Sequence, residues 1–212
     1  MPALETRLVD PRPALGHVNL MVDTFIANAT PDDLRSIIRN LLATGPPGVA
    51  PAFTSAARSR LRQNTKAIPS PVALFRKTSS LSSTSSASAA GPASPTPALY
   101  DALTRARSLY GAGLGFASLN VLSTIVRATV GLRWEDDGDM ADILAVIDAD
   151  IGQAIQSAKE EIDGNRVHDF AAARGTRDEL RDAVLTSMAD VSSWSGDFPF
   201  ERASSSIEYW KF

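Results

Sequence analysis

The sequence predicts an all-α protein: a small N-terminal helical module, a flexible Ser/Pro/Ala-rich linker, and a C-terminal helical bundle of about four helices that ends in an aromatic tail. Three observations carry this reading. Apolar residues recur at spacings of three and four through most of the 212 residues, and no segment reads clearly as a strand. Residues 78–97 are almost only Ser, Thr, Ala, Gly and Pro, too poor in apolar surface to offset the entropy of ordering. Charge is unevenly divided: Leu34 to Tyr100 holds eight basic residues and no acidic one, whereas Glu135 to Phe212 holds eighteen acidic and seven basic, a net of −11 within a chain whose overall charge is only −3. The boundaries that follow are 1–77 for a basic N-terminal module, 78–97 for a disordered linker, and 98–212 for an acidic bundle and tail.

The N-terminal module opens irregularly around Pro2, Pro11 and Pro13. His17 to Ala29 then places Val18, Met21, Val22, Phe25 and Ile26 at helical spacing. Thr30 is positioned to cap a second helix, with Pro31 at its first position and Asp32 and Asp33 in its first turn, where negative charge suits the orphan amides and the macrodipole. Leu34, Ile37, Ile38, Leu41 and Leu42 form its apolar face, and Gly45-Pro46-Pro47-Gly48 stops it. A third helix is expected from about Pro51 to Asn64, with Phe53, Ala56, Ala57 and Leu61 inward and Arg58, Arg60 and Arg62 mostly outward.

Beyond the linker, Ala98 to Tyr110 and Phe116 to Val130 read as helices around a glycine-rich break. Leu99, Leu103, Leu109, Leu119, Leu122, Ile125, Val126 and Val130 are their core candidates. Glu135 to Asp139 supplies capping oxygens to a long helix whose Met140, Ile143, Ile147, Ile151, Ile155, Ala158 and Ile162 step at three and four, ending at Gly164-Asn165. A short turn or helix follows over Val167 to Ala173. Thr176-Arg177-Asp178-Glu179 has the form of a capping box for a last helix through Leu180, Val184, Met188 and Val191. The tail from Trp194 to Phe212 is dense in aromatics, and either packs on the bundle or awaits a partner.

Composition excludes several classes. With no cysteine there is no disulfide scaffold, thiolate metal site or cysteine nucleophile. The first residues lack the basic start and apolar core of a secretory signal, so an intracellular location, cytoplasm or nucleus, is expected. The apolar stretch from Tyr110 to Leu132 is interrupted by Ser118, Asn120, Ser123, Thr124, Arg127 and Thr129, and is read as a buried helix rather than a membrane span. No membrane partner is expected.

No constellation marks a catalytic centre, and no cofactor or metal is expected. Gly111-Ala112-Gly113-Leu114-Gly115 lacks both the preceding strand of a dinucleotide fingerprint and the Gly-Lys-Ser/Thr ending of a P-loop, so it reads as close helix packing or a hinge. Asp136, Asp137, Asp139 and Asp142 lack calcium-loop spacing and fit a helix start. Asp148 borders the buried face of the long helix and would need a basic partner such as Arg105, Arg107 or Arg127. The two histidines, His17 and His168, have no recognisable catalytic companions.

The function expected is that of a non-enzymatic interaction protein, an adaptor or regulatory subunit. Its partner-binding residues would be Arg58, Arg60 and Arg62, the helix face of Ile38, Leu41 and Leu42, and the tail residues Trp194, Tyr209 and Trp210, since Arg and aromatic side chains anchor most interfaces. The partner would be a protein, with self-association open. The basic half could also dock on the acidic bundle through the three arginines. One alternative is a nucleic-acid-associated regulator that uses the basic segment 35–77. Another is a small-ligand or enzyme role in the bundle around Asp148. Thr78, Ser79 and Ser80 follow Arg76-Lys77 and are phosphorylation candidates, against the plainer reading of an inert spacer.

Overall fold

The computed structural model describes residues 20–64, 70–77 and 92–212, and by its contacts the chain divides into two compact units, Met1–Ala52 and Phe53–Phe212. In the first, α1 (Leu20–Asn28) leads into α2 (Pro31–Thr44). The α2 start is the one the sequence dictates: Thr30 Oγ1 accepts the Asp33 amide at 3.1 Å, Pro31 opens the helix, and the chain stops at Gly45. Helix α3 (Val49–Gln63) runs across the division between the units.

In the second unit a short α4 (Pro71–Leu74) continues into β1 (Phe75–Lys77), which pairs antiparallel with β2 (Ala93–Pro95) in the register Phe75↔Pro95, Arg76↔Ser94, Lys77↔Ala93. These strands were not expected. They are three residues each, too short for an alternating pattern to be legible, and they form because Leu74, Phe75 and Ala93 are buried on the bundle. Of the expected linker, residues 78–91 lie outside the described residues. Its last residues are β2 and the start of α5, and the chain on either side of 78–91 is held at strand-pairing distance within the same unit. The units therefore divide at Ala52/Phe53, with α4 and β1 grouped with the C-terminal helices.

The four long helices of the bundle are α5 (Pro97–Gly111), α6 (Gly115–Ala128), α7 (Asp139–Asp163) and α8 (Phe170–Ser192). Helix α6 is central and packs on each of the other three. Eight of its fourteen residues are buried, which is why its stretch of sequence is so apolar. Its buried hydroxyls bond inside the protein: Ser118 Oγ donates to Ala106 O at 2.9 Å and Ser123 Oγ to Leu119 O at 2.8 Å. Among the described residues no helix is long and apolar enough to cross a membrane.

Two helix starts differ from expectation. At α7 the N-cap is Gly138, and no side chain bonds the first amides; Asp139 and Asp142 lie in the first turn, where they act through the macrodipole rather than as caps. At α8 one continuous helix replaces the expected turn and capping box. Asp169 caps it, its Oδ1 accepting the Ala172 amide at 2.9 Å, and three alanines carry the helix past Gly175, so that Thr176 falls inside.

The tail packs on the bundle. Helix α9 (Glu201–Glu208) buries Ala203 and Ile207, Phe200 before it is fully enclosed, and Trp210 after it stacks on Phe116 with ring centroids 5.8 Å apart. Trp194 meets Trp134 edge-on at 5.1 Å.

Gly115 fixes how α6 meets α7. A Cβ at this position would lie 2.6 Å from the Ser157 carbonyl carbon and run into the Ala158 backbone. Backbone on both sides leaves no side chain to move aside. Gly115→Ala is expected to destabilise the protein by about 3 kcal/mol, the upper end for overpacking, while Gly111→Ala, where a Cβ meets nothing within 4 Å, is neutral or slightly stabilising; urea denaturation of the two variants checks both.

Candidate functional site

Helix α3 carries Ser55, Arg58, Ser59 and Arg62 at intervals of three and four, so they share one stripe, while Leu61 on another face packs against the bundle core. The stripe faces the turn between α7 and α8. There Gly164 caps α7, Asn165 takes the left-handed conformation (φ 52°), and Arg166 folds back over the helix end. Asn165, Arg166 and His168 complete an open cleft of about 560 Å³ whose α3 wall also includes Gln63. Among the described residues no carboxylate lines it, and its one aromatic ring is the His168 imidazole.

The arginines are held from behind. Arg58 Nε donates to Ala112 O at 2.7 Å, at the C-terminal end of α5, where the helix dipole favours a cation. Nη2 of Arg58 and Nη2 of Arg166 both stand against Gly113, 3.3 Å and 3.4 Å from where its Cβ would be, so two guanidinium groups converge on one point. Gly113 itself has φ 76°, a conformation suited to glycine. The Nε of Arg166 is buried with no acceptor among the described residues. None of Arg58, Arg62 and Arg166 joins an ion pair among those residues, whose pairs are Arg35–Asp32, Arg107–Asp150, Arg133–Asp190 and Arg177–Asp178.

The three expected arginines therefore separate. Arg58 and Arg62 face the cleft, and Arg60 is exposed outside it. The described polar partner of Arg58 is a carbonyl rather than a carboxylate, because the α5 end presents unpaired carbonyl oxygens to it. On α2, Ile38 and Leu42 are half-buried, and Leu41 is 50% exposed. In the tail, Trp210 is 5% exposed, Trp194 is half-buried, and Tyr209 is 81% exposed. Thr78, Ser79 and Ser80 lie outside the described residues. The sequence reading did not single out Arg166, nor connect His168 with α3. The Ser55/Arg58/Ser59/Arg62 stripe was legible as a pattern, but nothing local signals that residues a hundred positions later face it.

Asp148 has a different partner from the one expected. Its Oδ1 accepts the Ala203 amide at 2.9 Å, and the Arg202 amide also bonds it, so a carboxylate of α7 caps α9 from outside. Arg107 instead pairs with Asp150, at 2.8 Å, and the Tyr110 hydroxyl donates to the same carboxylate at 3.0 Å. Glu161 accepts the Phe116 amide at the start of α6 (3.3 Å), and Asp190 accepts the Gly131 amide (2.9 Å). Among the described residues no group of three or more His, Asp or Glu side chains converges as a metal ion would require.

No family model matches the chain, and no curated protein or solved structure is significantly similar to it.

Burial raises the Asp148 pKa, against the opposing pull of the Ala203 and Arg202 amides. The folded state then holds this proton more tightly than the unfolded chain, so its contribution favours folding at low pH and is lost as pH rises from the ordinary carboxylate range through the folded value. Asp148→Asn, which keeps an acceptor and never ionises, is expected to be at least as stable as the wild type at pH 7, with any advantage vanishing near pH 3. Asp148→Ala leaves the amide of the buried Ala203 without its acceptor and is expected to be about 1–2 kcal/mol less stable than Asp148→Asn; denaturation curves across pH test both.

Proposed function

We propose that this protein is a non-enzymatic interaction protein, an adaptor or regulatory subunit, that binds a partner protein through its N-terminal helices. The observation that supports the reading is a half-exposed apolar face. No α2 residue is buried, and Val22, Phe25 and Ile26 of α1 with Ile37 and Leu41 of α2 are each about half exposed, between 47% and 52%. On both helices these residues recur at helical spacing, so they make stripes rather than scattered contacts. Covering such a stripe gains about 25 cal/mol per Å² of apolar area, which is the usual source of affinity for a helix laid against an apolar groove.

The second unit supplies a contrast. Its apolar residues are largely enclosed in one core, and its acidic side chains serve in part as helix caps. Such a body suits a rigid support that carries a binding element.

The test compares affinity capture by the wild type, by the double variant Ile37→Asp/Leu41→Asp, and by Val72→Asp, an 88% exposed apolar position on the second unit. A protein partner retained with Val72→Asp and reduced about tenfold or more with the double variant is the expected result. Sedimentation of the purified chain determines whether that partner is a second copy. Equal recovery with all three proteins, or recovery of no protein, would sink the reading.

A further inference from the structure

We infer that the cleft between α3 and the α7–α8 turn binds a small ligand carrying a multiply charged phosphate group, a pyrophosphate or bisphosphate. Arg58 and Arg62 come from α3 and Arg166 from the turn, with His168 beside them and no carboxylate in the lining among the described residues. Like charges brought together in this way repel, and among the described residues the only polar contact that offsets this is the Ala112 carbonyl taking one N–H of Arg58. A guanidinium has five N–H donors, so most donors of the three remain unassigned, including the buried Nε of Arg166. The positive charge of the three has no carboxylate partner among the described residues, and an anion seated in the cleft would supply both a countercharge and acceptors for the donors that face it.

The chemistry of the lining selects the anion. Planar guanidinium forks match phosphate oxygens in pairs, and the hydroxyls of Ser55 and Ser59, one turn apart on the same stripe, add neutral donors at the same wall. Several cations in one place favour more than one negative charge. The volume of about 560 Å³ lies within the range of small-molecule pockets, which leaves room for the body of a ligand beyond its phosphates. A nucleic-acid strand is less suited: binding without sequence preference draws on several aromatic rings that stack successive bases, and among the described residues the cleft offers the His168 imidazole alone.

The test is isothermal titration calorimetry of the full chain with pyrophosphate, with inorganic phosphate and with a single-stranded oligonucleotide, each at two salt concentrations. The expected result is saturable binding of pyrophosphate, tighter than that of inorganic phosphate. Arg62→Ala and Arg166→Ala should weaken it about tenfold or more, and Arg62→Lys, which keeps the charge but loses the fork, by less. Arg62 is exposed, so its variants do not disturb the core, and Arg60→Ala is the matched control on the same helix outside the cleft, expected to bind as the wild type does. Absence of saturable pyrophosphate binding overturns the inference, as does equal weakening by Arg60→Ala and Arg62→Ala, which would make the effect one of general charge. Saturable binding of the oligonucleotide alone also overturns it, and places the cleft with nucleic acid.

Discussion

The closeness of α6 to α7 at Gly115 is the constraint on which the second unit depends. With backbone against backbone at Ala158 and Ser157, the turn between α5 and α6 is pinned to one level of the long helix. Polar groups then bond across the same contact: Ser157 Oγ donates to Tyr110 O at 2.8 Å, Glu161 accepts the Phe116 amide, and Asp150 holds Arg107 and Tyr110. These groups recur along one stripe of α7, from Asp150 through Ala154, Ser157 and Ala158 to Glu161, so a single helix face sets the position of two others. The C-terminal end of α5 is fixed by the same contact, and with it the carbonyl that anchors Arg58. The cationic cleft is thus a consequence of a glycine in another part of the chain.

The strong charge division has a more local meaning than its size suggests. A net of −11 over the last 78 residues invites the picture of an acidic surface waiting for a basic one. Several of those carboxylates are instead turned toward amides that helix geometry leaves unpaired: Asp148 at α9, Glu161 at α6, Asp169 at α8 and Asp190 at Gly131. Asp148 carries a cost in doing so, since burial works against its charge. What it secures is the orientation of α9, and through α9 the enclosure of Phe200, Ile207 and Trp210.

The two units differ in how they treat apolar surface. The second closes a core around α6 and seals it with its own aromatic tail, which leaves Tyr209 as the tail ring still facing solvent to a large extent. The first keeps its apolar stripes half exposed. That difference motivates a reading in which recognition of another macromolecule belongs to α1 and α2, and recognition of a small anion to the cleft, by distinct physics: area burial in one case and paired guanidinium hydrogen bonds in the other.

The sequence by itself determined the helical class, the start of α2 at Thr30, its stop at Gly45, and the inward face of α7, because each rests on residues within a turn or two of one another. It misplaced the start of α8, since Asp169 and Thr176 both carry capping chemistry and only packing selects between them. It missed β1 and β2, whose pairing joins Lys77 to Ala93 and depends on the buried surface beneath them. It recognised the arginines of α3 and the exception at Asp148, but not their partners. Only the tertiary structure decided that Arg58 meets the end of α5, that Arg166 joins Arg62 in one cleft, and that Asp148 caps α9. The reason is physical: helix formation reads neighbours three and four residues apart, while the encounter of groups a hundred residues apart is set by how whole helices pack.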